Sequence, residues 1–259
     1  MFTPDEKTNP IYDKIVEAID LGMQAFNLSQ PKRQYLGASA IGRPCERELA
    51  YSYHQIPKDE GADFKGRTLR MFDMGHDGET RMASYIRQGG FTLETHQPDG
   101  KQFGIADAGG RFKGHLDGII TAGPKIKGLK YPLLWENKAL GSKTYSKMES
   151  KGLREASATY YAQVQVYMGY KELERCLFTA LNRDTGEIYI EMVDFDARAC
   201  QEYIDKAVRI VSSSNADEFG RIGRGLDDFS CKFCDYRRRC HGAVEAKEQP
   251  KNNDALGWL

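Results

Sequence analysis

The stretches GHLDGII (residues 114–120) and LLWENKAL (residues 133–140) decide the fold, because both predict short strands that carry charge in an apolar setting. Side chains alternate between the faces of a strand, so Glu136 and Lys138 are predicted to share one face, with Asn137 on the other. Glu and Lys are seldom buried without a partner. Either a salt bridge at a strand end or a hydrolytic metal site accounts for this pair, and we favour the metal site.

The residue types suit hydrolysis assisted by Mg²⁺ or Mn²⁺. Asp117, at the end of the first stretch, and Glu136 supply the carboxylate oxygens that these ions prefer, and the backbone carbonyl of Asn137 adds a third oxygen. An ion held there polarises a phosphate and lowers the pKa of the attacking water. Lys138 is then predicted to orient that water or to offset charge that develops on the phosphate.

The pattern of the remaining sequence predicts helices before and after a group of short strands. Helical periodicity predicts helices at residues 11–27, 67–88, 154–171 and 196–214. Alternation and Gly, Pro or Asp breaks predict strands at residues 91–97, 104–108, 112–121, 132–140, 176–183 and 187–195. Lys143, Tyr145 and Lys147 are predicted to lie in a polar loop. This order predicts an α/β domain with a central mixed β-sheet flanked by helices.

The composition is consistent with one hydrophobic core, and the net charge does not indicate a nucleic-acid partner. The 259 residues are 40% hydrophobic, and 37 Lys and Arg balance 37 Asp and Glu. A nucleic acid must therefore bind to a local basic surface. The beginning of the chain lacks the pattern of a signal peptide, and no apolar run is long enough for a membrane span. We therefore expect a cytoplasmic protein with no membrane partner.

The cysteines predict a metal centre. Three of them fall within ten residues at spacing C-x2-C-x5-C: Cys231, Cys234 and Cys240. A tetrahedral zinc or an iron–sulfur cluster needs a fourth ligand. Cys176 and Cys200 lie in a predicted strand and helix and are expected to be core residues, whereas Cys45 lies in a polar helix start. Cys45 is therefore the preferred fourth ligand, with His241 as the alternative.

The motif G-H-L-D-G, followed nineteen residues later by E-N-K, resembles the PD-(D/E)XK superfamily in its RecB-like exonuclease branch, with Leu116 where the family has proline. Two more elements fit that branch. Gln163 and Tyr167 resemble its Q-x-x-x-Y element, which implies contacts to DNA near the cleavage site. Glu79 resembles an upstream helical position that implies a further metal ligand in the catalytic group. His76, one turn earlier, is its rival, and His115 is expected beside Asp117 on the same strand face.

One distant cysteine with three C-terminal ones resembles the iron–sulfur nucleases: the CRISPR-associated Cas-type exonucleases, the AddB nuclease domain and the nuclease domain of the Dna-type helicase–nucleases. Phage nucleases with LGAS-x-x-G-x-x-C-E-R, as at residues 36–47, are similar too. The resemblance implies a [4Fe–4S] cluster that joins the N- and C-terminal segments, with structural Zn²⁺ as the alternative. Its ligands would be Cys45, Cys231, Cys234 and Cys240.

We expect one nuclease domain over residues 1–259. Its parts are an N-terminal helical segment (1–66), a PD-(D/E)XK core (67–215), a Cys-rich cluster segment (216–243) and a flexible tail (244–259).

The cysteine loop also supplies candidate DNA contacts. Arg237, Arg238 and Arg239 lie within it, while Phe233 and Tyr236 offer stacking surfaces for unpaired bases. The basic residues of the N-terminal segment are expected to gather near them: Lys32, Arg33, Arg43 and Arg47.

The leading hypothesis is an exonuclease on single-stranded or frayed DNA ends, in recombination, repair or phage DNA metabolism. It would work with a recombination or helicase partner, since the chain has no P-loop motif. The alternatives are a structure-selective endonuclease or nickase on the same core, and a non-catalytic DNA-binding or assembly factor. The sequence does not indicate the oligomeric state.

Overall fold

A computed structural model of the protein describes residues 10–242, so the predicted flexible tail at residues 244–259 lies outside the described residues. The helices are α1 (Pro10–Ser29), α2 (Glu46–Tyr53), α3 (Gly66–Gln88), α4 (Ser142–Ala156), α5 (Ala158–Lys171), α6 (Ala197–Ser212) and α7 (Arg237–Cys240). The strands are β1 (Leu36–Gly37), β2 (Thr92–Glu94), β3 (Gly104–Asp107), β4 (Phe112–His115), β5 (Gly118–Ala122), β6 (Leu133–Leu140), β7 (Arg175–Asn182) and β8 (Ile188–Asp194). Short 3₁₀ turns lie at Ala38–Ala40, Ala108–Gly110, Ala216–Glu218 and Phe229–Cys231.

Two sheets organise the chain. The larger has the order β2-β5-β6-β7-β8, and only its β6–β7 pair is parallel. The smaller has the order β1-β4-β3. The prediction of a mixed sheet flanked by helices is confirmed. Among residues 10–242, no helix combines the length and the apolar composition that a membrane crossing requires.

The larger sheet separates two apolar clusters, one on each face. On one face Trp135 of β6 packs with Met82 and Ile86 of α3. On the other face Phe178 of β7 belongs to a larger cluster that includes Tyr167 of α5. Successive residues along β6 and β7 therefore face α3 and α5 in turn. The part of the sheet that carries the charged side chains of β6 is covered by a packed helix on each face.

Two predictions about local structure are wrong. Residues 112–121 are not one strand: β4 ends at His115 and β5 begins at Gly118, in a different sheet. The buried Leu116 continues the apolar pattern across the junction, so alternation does not reveal the change of sheet. Lys143, Tyr145 and Lys147 lie in α4 instead of a loop, with only Tyr145 of the three buried.

Candidate active site

The short pairing of β5 creates a gap beside β6. β5 pairs with β6 only along Leu133–Trp135, so within the described part of the chain β6 has no strand neighbour on that side beyond Trp135. Asp117, in the connection between β4 and β5, occupies this gap. Its Oδ2 accepts a hydrogen bond of 2.8 Å from the backbone N–H of Asn137, and the residue is only 9% exposed. In a strand the N–H and C=O of one residue point to the same side, so the Asn137 carbonyl also faces the Asp117 side.

Glu136 and Lys138 lie on the same face of β6, as the alternation predicts. Glu136 is completely buried, and its Oε1 accepts a hydrogen bond of 2.5 Å from Nζ of Lys138. Its other oxygen, Oε2, is buried and has no hydrogen-bond partner among residues 10–242. Buried polar atoms in folded proteins almost always have a partner, so an orphaned carboxylate oxygen calls for one. A cation is the partner that a carboxylate oxygen suits best.

Electrostatics in the site favour a bound cation. Burial, and after it the charge of the nearby Asp117, raise the pKa of Glu136 to about 8. Burial also raises the pKa of Asp117, against the opposing charge of Lys138. Burial disfavours the charged form of Lys138, but Glu136 and Asp117 outweigh it and raise the lysine pKa above its ordinary value. One ammonium therefore does not allow all the carboxyl groups to ionise together at neutral pH, whereas a divalent cation would.

Glu79 approaches this group from α3. Burial and the charge of Asp117 together raise its pKa to about 7, so the two carboxyl groups are close. His76 is exposed, although its charge lowers the pKa of Asp117. His115 is exposed at the end of β4, where the chain changes sheets, so the prediction that it shares a strand face with the buried Asp117 is wrong.

The approach of Glu79 depends on a close contact between α3 and β6. A Cβ at Gly78 would lie 2.7 Å from Cβ of Ala139, whereas a Cβ at Gly75, one turn earlier, would meet nothing within 4 Å. Glycine at position 78 therefore sets the distance between the helix and the strand.

Gly78→Ala is expected to destabilise the protein by about 1–3 kcal/mol, because the added methyl group forces α3 away from β6. The displacement also moves Glu79 from Asp117, so any metal-dependent activity should fall. Gly75→Ala is the matched control and should stabilise by about 0.5–1 kcal/mol through helix propensity. Urea unfolding of both variants checks this, and equal stabilities would contradict the packing argument.

Gln163 and Tyr167 are both on α5, next to the carboxylate group. Gln163 is 5% exposed and Tyr167 is 1% exposed, and Nε2 of Gln163 donates to the Tyr167 hydroxyl at 3.3 Å. Burial raises the pKa of Tyr167, and the charge of Glu136 raises it further. The predicted shared helical face is confirmed. Their role as DNA contacts stays a prediction, and it requires a strand that enters the cleft.

Tyr160 is a residue of the site that the sequence analysis missed. Nζ of Lys138 lies 5.2 Å from the centre of its ring, within the range of a cation–π contact. The ring itself stacks on Phe178, with 6.5 Å between centroids. Tyr160 precedes Gln163 by three residues and Tyr167 by seven, so helical spacing alone predicts that the three share a face.

The four predicted cluster cysteines line one small cavity: Cys45, Cys231, Cys234 and Cys240. All six cysteines of the chain are free. Cys45 caps α2, where its Sγ accepts from the N–H of Glu48 at 3.4 Å. Cys176 and Cys200 are buried elsewhere in the core, as expected, at 0% and 4% exposure. His241 stays the alternative ligand, because its Nε2 lies 3.7 Å from Sγ of Cys231.

Neither group is arranged as a finished metal site. Within residues 10–242, no three Cys, His, Asp or Glu side chains converge so as to hold a metal ion. The donor atoms fit in kind: carboxylate oxygens around Glu136 for Mg²⁺ or Mn²⁺, and thiols for zinc or an iron–sulfur cluster. Burial raises the pKa of Cys45, and that of Cys234 to about 12, so metal binding must displace protons as well as turn side chains.

The three arginines of the cysteine loop differ in their surroundings. Arg238 is exposed, Arg237 lines the cysteine cavity, and Arg239 donates from Nε to the carbonyl of Pro57 at 3.2 Å. The carboxylate of Asp59 accepts from the backbone N–H groups of Arg238 and Arg239, which anchors the loop.

Two basic residues of the N-terminal segment are already in ion pairs. Arg43 pairs with Glu48, which lines the cysteine cavity, and Arg47 pairs with Asp217. Tyr236 is only 5% exposed and packs against Tyr51, so its prediction as a stacking surface for bases is wrong. Phe233, by contrast, is 82% exposed.

Comparison with known structures identifies a related fold. The crystal structure of SSO0001 has a TM-score of 0.50 and 17% sequence identity, over 89% of this chain and 98% of that one. The alkaline exonuclease LHK-Exo from Laribacter hongkongensis has a TM-score of 0.48 and 14% identity, over 70% of this chain and 88% of its own. LHK-Exo in complex with dAMP has the same TM-score and identity, over 69% and 87%. No family model matches the chain, and no curated protein matches its sequence. At 17% identity the similarity to SSO0001 establishes a shared fold alone. The two TM-scores of 0.48 carry no argument.

Proposed function

We propose that this protein is a metal-dependent deoxyribonuclease of the PD-(D/E)XK type. The observation that carries the proposal is the completely buried Glu136, with one carboxylate oxygen on Lys138 and the other without a partner. Asp117 and Glu79 are close enough to raise its pKa. A binding protein gains nothing from placing three carboxyl groups, two of them buried, beside one lysine, whereas a hydrolase that holds a divalent ion requires such a group.

The positions of the side chains support a division of roles. Asp117, Glu136, Glu79 and the carbonyl of Asn137 would hold Mg²⁺ or Mn²⁺, which supplies Lewis-acid activation of the scissile phosphate and of the attacking water. Lys138 keeps its proton, because the carboxylates raise its pKa, so it offers a fixed positive charge to the phosphate.

Lys138, which offers positive charge, and Asp117, which would hold the metal ion, are kept in place by different contacts. Glu136 holds the end of the Lys138 side chain by a hydrogen bond, and the ring of Tyr160 packs against the same ammonium group. Asp117 is held by the backbone N–H of Asn137, so its carboxylate is fixed without using a side chain of the site. Lys138 and Asp117 are therefore each held in place before substrate binds, which is what electrostatic catalysis requires.

We further propose that the four cysteines bind one metal centre with a structural role, a [4Fe–4S] cluster in preference to Zn²⁺. The shared cavity and the four free thiols support a single centre. The resemblance to iron–sulfur nucleases supports the cluster over zinc. As the substrate we propose DNA with single-stranded or frayed ends, which makes the activity exonucleolytic.

One assay tests the function. The purified protein is incubated with end-labelled linear DNA and with closed-circular DNA, each with Mg²⁺ or Mn²⁺. We expect degradation of the linear DNA alone and no degradation by Asp117→Asn. Nicking or cutting of the circles would favour the structure-selective endonuclease instead. Binding of DNA without cleavage of either substrate would exclude a nuclease and leave the non-catalytic DNA-binding factor.

A further inference from the structure

The turn that carries Cys231 presents two phenylalanines to solvent. Phe229 is 80% exposed and Phe233 is 82% exposed, and among residues 10–242 no other large hydrophobic side chain is as exposed. Scattered apolar side chains on a surface are ordinary, but two large rings four residues apart and almost fully exposed are a feature that needs an explanation. We call this feature, with the adjoining Lys232, the Phe229–Phe233 surface.

The exposure is built into the backbone. The carboxylate of Asp228 accepts hydrogen bonds from the N–H groups of Ser230 at 2.9 Å and of Arg224 at 3.1 Å, and so caps the turn. Cys231, between the two rings in sequence, is buried at 8% exposure. Because the turn directs Cys231 inward, it holds both phenylalanines outward.

The segment that carries the two rings is basic, although the whole chain is neutral. Residues 220–242 contain six Lys and Arg against three Asp. Two of the three acidic side chains are already engaged, since Asp228 caps the turn and Asp235 pairs with Lys58 at 2.7 Å. Nζ of Lys232 lies 5.8 Å from the centre of the Phe233 ring. Exposed aromatic faces among cationic side chains match a ligand that has both flat bases and phosphates.

We propose that the Phe229–Phe233 surface binds single-stranded DNA, with the rings stacking on unpaired bases and the basic side chains contacting the phosphates. Unpaired bases offer their faces to stacking, whereas a duplex hides them, so the surface discriminates between single and double strands. The proposal rests on the proposed function and deepens it, because it assigns the part of the substrate that the protein holds away from the cleaved bond.

The chain connects this surface to the active site. Cys45 lines the same cavity as Cys231 and lies seven residues after Ala38, a distance of at most about 25 Å along an extended chain. Ala38 in turn packs beside Gly114, three residues before Asp117. Under this proposal a single strand of several nucleotides would reach from the surface to the carboxylates.

The test measures binding apart from cleavage. Glu136→Gln serves as the background so that DNA is not degraded, and fluorescence anisotropy follows a labelled oligothymidylate of about 16 nucleotides and a blunt duplex of equal length. Each of Phe229→Ala and Phe233→Ala is expected to weaken single-strand binding by about tenfold and to leave duplex binding within about twofold. Phe233→Trp, which keeps a stacking face, should retain the affinity.

Matched controls decide the outcome. Phe26→Ala removes another exposed phenylalanine, 69% exposed on α1, and should change nothing. Unchanged single-strand affinity in the Phe229→Ala/Phe233→Ala double variant would overturn the proposal. So would an equal loss for the duplex, or a change of oligomeric state in place of a loss of affinity, because the surface would then serve another partner. A parent protein that binds single strands but never cleaves DNA would refute the proposed function alone.

Discussion

Glu136→Gln is expected to abolish metal-dependent DNA hydrolysis, with a loss of at least about a thousandfold in rate. The amide keeps the size of the carboxyl group but removes the negative charge that a divalent ion needs and the ion pair that orients Lys138. Single-turnover cleavage of linear DNA measures the loss. Lys143→Ala, which removes an exposed lysine of α4, should retain full activity.

The same variant is expected to change how stability depends on pH. In the folded, metal-free protein the pKa of Glu136 is about 8, above its ordinary value of 4.5. The folded state therefore binds more protons than the unfolded chain between these values. The stability contributed by Glu136 is fully present below pH 4.5 and is lost as the pH rises through 8. Glutamine has no such dependence.

Glu136→Gln should therefore unfold at a higher denaturant concentration than the parent at about pH 9 without divalent metal, and should lose this advantage on acidification. Added Mg²⁺ should stabilise the parent at high pH and leave the variant unaffected, because only the parent binds the ion. If the variant were as active as the parent, or if Mg²⁺ stabilised both equally, Glu136 would not be a metal ligand.

Cys231→Ser is expected to cause the largest loss of stability. A metal centre that joins Cys45 to Cys231 closes a loop of 186 residues, and in the chain-entropy treatment of cross-links such a loop contributes about 5 kcal/mol. That is comparable with the whole stability of many domains. The variant should lose its metal and become largely insoluble. Cys45→Ala should behave in the same way. Its loss of solubility should appear before any change in the reaction at the carboxylates.

Metal analysis, visible absorption and thermal unfolding check this prediction. A visible absorption band with bound iron identifies an iron–sulfur cluster, whereas a colourless protein with bound zinc identifies the alternative. Cys200→Ala is the matched control, since Cys200 is buried in the core and should leave the metal content unchanged. Full metal content and normal stability in Cys45→Ala would exclude Cys45 and leave His241 as the fourth ligand.

Local periodicity in the sequence predicts which residues share a face. Alternation along residues 133–140 correctly places Glu136 with Lys138 and opposite Asn137. Helical spacing correctly pairs Gln163 with Tyr167, and the same spacing would have included Tyr160. These relations hold because the geometry of a strand or a helix relates residues that are close in sequence, whatever the rest of the chain does.

Contacts between distant residues depend on the tertiary structure. Asp117 reaches the edge of β6 because β5 pairs no further than Trp135 and the chain changes sheets before Gly118. Glu79 reaches Asp117 because Gly78 lets α3 approach β6. The sequence selects the residue types at these positions, but their meeting depends on strand length, register and helix packing. Those properties result from the burial of the whole chain, and no single stretch of it encodes them.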